Sequence, residues 1–205
     1  MRTVEISQMI ETAVTDEERT GNLAAAVERV AKEKGADPGP QAVQGAVMFI
    51  REYIEHVPHY LEQGTVAAQE KSLQSQWAHM SRALEAYWMD PNDVIHDHLG
   101  LLGVTDDAYA SLLFLQSASD HCHATYASGL LHQNLTAANQ AIRAFIGEPG
   151  ASVLDTEVAL TLAAAQEVTG RMVDRGFEFA PLDPIWKGAD VAELLSAKLG
   201  PIGLV

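Results

Sequence analysis

Cysteine is almost absent from this chain: Cys122 stands alone, so no disulfide can close within the molecule and a cysteine-rich zinc site is excluded. That usage fits a reducing compartment, and the expected location is the cytoplasm. Basic residues are scarce too, 13 Lys and Arg against 28 Asp and Glu, for a formal net charge of -15. Such an excess repels phosphate backbones and anionic lipid, so no nucleic-acid partner is expected. Mimicry of nucleic acid needs carboxylates gathered on one face, whereas these are scattered among helix starts and polar faces. No apolar run reaches the ~18–20 residues of a membrane span. The N-terminal stretch, carrying Glu5, Glu11 and Asp16, lacks the basic-then-apolar layout of a signal peptide. No Glu-x-x-His occurs anywhere, which removes a ferritin-like di-iron centre, and there is no glycine-rich phosphate loop. Internal repeats, low-complexity tracts and alternating strand patterns are also missing.

What is present is apolar residues at helical spacing. With 205 residues, 47% of them hydrophobic, the chain can bury a substantial core, and a single helical domain over 1–205 is expected. Leu73, Trp77, Met80, Leu84 and Tyr87 recur at steps of four and three, predicting a helix from near Thr65 to just before Pro91. Val43, Val47, Ile50, Ile54, Val57 and Leu61 form a second stripe, with Pro40 in a first turn, Gly64 as a stop and Pro58 as the cause of a kink near 54–58. Thr15 and Glu18 have capping-box spacing for a segment running to Gly35, which Gly21 weakens, and residues 35–40 form a loop. Thr105 is placed to cap a segment from Asp106 to about Leu131 that is apolar on nearly every side and belongs in the middle of a bundle. Shorter helices follow at Thr136 to Phe145, from Asp155 to before Gly176, and from about Ala189 to Leu199, with an irregular stretch over 177–187. The fold class is therefore all-α, an irregular bundle of about six to eight helices. The apolar ending over 177–205 either packs on its own domain or docks on a partner, a second copy of the chain included.

Residues 82–116 carry a pattern: Pro91, Asp93, Ile95 and Asp97 after an apolar helix, then Gly103, Asp106 and Asp107 opening the next. This segment resembles the YkvA-like family of small bacterial domains of unknown function. It departs from that pattern at His96, where the family has a second proline, and at His98, where it has an apolar residue. The resemblance implies a helical fold and a cytoplasmic or membrane-peripheral protein, with no reaction attached. Read from the residues alone, Asp106 and Asp107 lie in a first helical turn, where each carboxylate gains about 0.3–1 kcal/mol from the helix dipole. Asp93 and Asp97 lie in a turn and bond local backbone there. If the two helices fold back on one another, the four carboxylates converge. They then serve either as a structural corner or as ligands for a divalent metal.

Eight histidines are a second source of candidate chemistry. His56 and His59 share a helix face, with Glu52 and Glu55 one turn earlier, which suits either a metal site or a solvated face with ordinary i,i+4 contacts. His56 or His59, then His96 and Asp97, then Asp120 would make a metal-dependent phosphohydrolase of the HD type, with metal-bound hydroxide as nucleophile, and His98 is a further metal candidate. The His-Asp pair sits in a turn, however, and few cations stand near it to hold a phosphate. His121 or His123 could ligate haem from a buried helix, and Asp120 beside Cys122 should raise that thiol's pKa. The leading expectation is a helical protein working through protein contacts, with a partner or with a second copy as a homodimer, with an Asp-rich structural turn and no cofactor. The metal-dependent hydrolase is its alternative.

Overall fold

The computed structural model describes residues 3–89, 94–169 and 191–204. Pro91, Asp93, Met172, Gly176 and the stretch 177–187 lie outside the described residues. Helices α1 (Thr3–Thr20), α2 (Asn22–Glu33), α3 (Pro40–Glu55), α4 (Val57–Glu70) and α5 (Gln74–Trp88) precede a 3-10 segment, Asp97–Leu102. Then come α6 (Thr105–Tyr126), α7 (Thr136–Ile146), α8 (Gly150–Thr169) and α9 (Val191–Leu199), and a 3-10 turn over Gly200–Ile202. Among the described residues there is no strand, and the class is all-α as the periodicity predicts.

Helix α6 is central, touching α3, α4, α5, α7 and α8. Ala108, Leu112, Phe114 and Leu115 are all fully buried, which is why its apolar residues do not sort onto one stripe. Around it, α1 lies on α4 and the 3-10 segment, α2 on α3, and α9 on α3 and α7. Ile202 and Leu204 are buried in the common core, so the described end of the chain packs on its own molecule. Polar links cross the core where helices meet: Tyr53 donates to Asn139 Oδ1 at 2.7 Å, joining α3 to α7, and Trp88 donates to Ser111 Oγ at 2.8 Å, joining α5 to α6.

Several local expectations are corrected. The helix predicted from Thr65 to Pro91 is two helices, because α4 ends at Glu70 and Ser72 turns the chain with φ 58 before α5 begins. Gly64 does not stop α4; it is buried under the Trp77 ring. Pro58 lies in the first turn of α4, where its missing N–H is harmless, so the kink is a break at His56. Thr15 sits inside α1 and its hydroxyl donates back to Glu11 O, while the real break is Gly21 at φ 67. There Glu17 does the capping, accepting the Leu23 N–H at 2.9 Å. Thr105 likewise donates to Leu101 O instead of capping α6, which ends at Tyr126 and not Leu131. Helix α8 starts at Gly150, five residues before the predicted Asp155.

Candidate functional site

The corner between α5 and α6 is built around Asp106. This residue is fully buried, and its Oδ2 accepts the Ile95 backbone N–H at 2.8 Å, strapping the 94–96 turn to the start of α6. Among the described residues its Oδ1 has no hydrogen-bond partner. Burial pushes the Asp106 carboxyl up to about 6 against the pull of backbone N–H groups, and the nearby Asp97 charge adds to the rise. Asp107 is fully buried beside it, so the pair is not the solvated first-turn decoration that dipole reasoning implies. Gly103 closes the corner: a Cβ there would stand 2.6 Å from Asp97 O and 2.7 Å from His96 O. Gly100, at φ 69, brings the 3-10 segment onto the α1–α2 junction, where a Cβ would lie 3.1 Å from Glu17 N. Asn22 Nδ2 donates to Leu99 O there at 3.3 Å.

The described metal candidates differ in exposure and in partners. Asp97, His96 and His98 are exposed, with the two imidazoles stacked at 5.6 Å, while Asp106 and Asp107 are enclosed. His56 Nδ1 is bonded to Glu52 O, and His59 Nε2 meets the Gln63 amide at 2.7 Å. The expected Glu–His contacts along α3 and α4 are replaced by cationic partners, Arg51 on Glu55 at 2.8 Å and Lys198 on Glu52 at 3.2 Å. Asp120 accepts from Gln116 at 2.6 Å. Among the described residues no group of three or more His, Cys, Asp and Glu is arranged to hold a metal ion. His121 and His123 are exposed, not buried as the haem reading needs. The Cys122 thiol is pushed up to about 11, chiefly by burial and not by Asp120, while Lys71 opposes the shift.

What the corner does form is one wall of a groove. Asp97, Met89 and Val104 face α1 across a space of ≈ 510 Å³. Helix α1 supplies Glu5, Met9 and Ala13 from one i,i+4 row and Gln8, Thr12 and Asp16 from the next, which is how a single helix face lines its whole length. The groove therefore has an apolar floor of Met9, Ala13 and Val104, with Met89 exposed beside it, and three carboxylates line it, of which Asp16 is paired with Arg19 at 2.8 Å; no Lys or Arg is among its described lining residues. A second groove of ≈ 590 Å³, on the other side of α1, also carries carboxylates, but Arg51 sits among them, bonded to Glu55. Sequence reasoning missed the first groove because Glu5, Met9 and Asp16 lie more than 70 residues from Met89 and Asp97, and neither stretch carries a local signal for the other.

No family model, no curated protein and no solved structure matches this chain. Its reading therefore rests on the chemistry of its own residues. Among the described residues no helix is long and apolar enough to cross a membrane.

Proposed function

We propose that this protein works through protein contacts, binding a basic, amphipathic helical segment of a partner in the groove between α1 and the 97–104 corner. One observation carries the reading: Met9, Ala13 and Val104 floor a groove whose charged lining groups, Glu5, Asp16 and Asp97, are all acidic. Methionine side chains are flexible and polarizable, so such a floor accepts varied apolar faces. The carboxylates select for Lys and Arg on the flanks, and a net charge of -15 draws a basic segment in from a distance. A second copy of this chain would bring the same acidic lining to the groove, which disfavours self-association through it.

The test is fluorescence anisotropy with a labelled Lys/Leu amphipathic peptide and its Glu/Leu counterpart of equal length. The basic peptide is expected to bind and the acidic one not. Replacing the exposed lining methionine, Met89→Asp, should weaken binding at least tenfold by placing a charge against the apolar face. Equal binding of both peptides, or wild-type affinity in Met89→Asp, would refute the reading.

A further inference from the structure

Away from the groove, where α4 and α6 both end, two side chains far apart in sequence meet. Lys71 closes α4 and is only 6 % exposed, and its Nζ donates to Oγ of Ser128, which follows α6 and is half-buried. Lysine is almost never buried to this degree unless it is paired. The backbone beside each partner is unusual. Ser72 and Ala127, both at φ 58, are the only non-glycine residues with positive φ among those described, and each adjoins one member of the pair. An L-residue in that conformation crowds its Cβ against the following carbonyl oxygen. Both belong to helix ends, as the Leu73 N–H to Ala68 O bond at 2.8 Å shows for α4, but glycine is the usual occupant of such a position.

The loop carrying Ser128 is held firmly. Ser119 Oγ accepts the N–H groups of both Leu130 and Leu131 at 2.9 Å, and Gly129 has no room for a Cβ against that hydroxyl. The N–H groups of Ser128 and Gly129 make no hydrogen bond among the described residues. A serine hydroxyl with a buried amine on its oxygen, and two adjoining backbone donors left to face incoming charge, is the set of parts an acyl-transfer site requires.

We propose that Ser128 is a nucleophile and Lys71 its general base, together accepting an acyl group from a small activated ester. In the step, Ser128 Oγ forms a bond to the acyl carbonyl carbon as its proton passes to Lys71 Nζ. The tetrahedral oxyanion faces the Ser128 and Gly129 N–H groups and collapses with cleavage of the C–O bond to the alcohol, which leaves with the bonding electrons. Burial shifts the Lys71 amine downward, toward the neutral form a base must have, while Cys122 and Glu70 oppose that shift.

The experiment exposes the full chain to p-nitrophenyl acetate and follows p-nitrophenolate release, intact mass and peptide mapping. One acetyl per chain is expected on Ser128, absent from Ser128→Ala. Lys71→Met should slow acylation by on the order of 10²–10⁴. Lys71→Arg keeps an N–H donor for Ser128 but cannot take up a proton, so it should be as slow as Lys71→Met although its melting temperature stays near wild type. Wild-type chain that gains no acetyl on Ser128, or Lys71→Arg that acylates at the wild-type rate, overturns the proposal and leaves Lys71 as a plug between two helix ends.

Discussion

Gly64 and Trp77 meet across the turn between α4 and α5 with no room for a side chain at 64: a Cβ there would stand 2.9 Å from Cζ2 of the indole. The ring cannot easily retreat, because Trp77 is buried and its Nε1 donates to Thr65 Oγ1 at 2.9 Å. Helix propensity favours Gly64→Ala by about 1 kcal/mol, whereas overpacking a fixed ring costs about 1–3 kcal/mol. The variant should therefore be destabilised by about 1 kcal/mol in urea titration. Gly45→Ala is the control, because its nearest obstacle is Lys198 O at 4.0 Å, and it should be stabilised by about 0.5–1 kcal/mol. If both variants shift the same way, the close approach at Gly64 is not what fixes that position.

Asp106 should give stability an unusual dependence on pH. Its carboxyl is raised to about 6 in the fold, against about 3.9 for an ordinary aspartate, so the folded state holds the proton more tightly than the unfolded chain. Its contribution is fully present below about pH 4, shrinks as pH rises, and is lost above about 6. The shift of about two units corresponds to roughly 3 kcal/mol at most. Asp106→Asn keeps an acceptor for the Ile95 N–H without the buried charge. Denaturation midpoints at pH 4 and pH 7 should then show the variant gaining on wild type by about 1–3 kcal/mol over that interval. A constant difference would mean that the fold does not raise the Asp106 carboxyl above its unfolded value.

These two positions also mark where the sequence could and could not be read. Apolar spacing identified the buried faces of α3 and α5, because Val43, Ile50, Ile54, Trp77 and Leu84 obey the helical period wherever they pack. Punctuation was less readable. Gly64 carries the signature of a stop, but its role is set by Trp77, thirteen residues further along the chain and invisible to a local window. Pro58 suits either a kink or a helix start, and only the break at His56 decides between them. Asp106 and Asp107 have the composition of a solvated first turn; they are enclosed because the 94–104 segment folds over them, which depends on the glycines at 100 and 103. The groove was hidden for the same reason, since half of it comes from α1.

The buried bond from Tyr53 to Asn139 should be expensive to break from one side. Both residues are almost fully enclosed, and Asn139 Nδ2 also donates to Leu112 O at 3.3 Å, so its carbonyl cannot turn to water without losing that second contact. Tyr53→Phe leaves Asn139 Oδ1 buried without a donor and should cost about 1–3 kcal/mol. The double variant Tyr53→Phe, Asn139→Ala removes the stranded acceptor and tests the coupling. Costs that simply add across the double-mutant cycle would show that the two groups do not interact.

Binding at the α1 groove should be sensitive to salt in a way that identifies which carboxylates take part. Asp16 and Asp97 line that groove, and each partly screened contact with a ligand cation is worth about 0.2–1 kcal/mol. Asp16→Asn, Asp97→Asn should therefore lower affinity for the Lys/Leu peptide by several-fold at low salt. The loss should fade as ionic strength rises and the screening length falls below about 10 Å. Glu55, which like Asp16 is paired with an arginine at 2.8 Å, lies in the second groove and not in this one, so Glu55→Gln should leave both affinity and salt response near wild type. Anisotropy titrations at low and high salt distinguish site binding from attraction to a uniformly acidic surface: if Glu55→Gln weakens the peptide as much as the Asp16 and Asp97 changes do, net charge alone attracts it and the groove has no selective part.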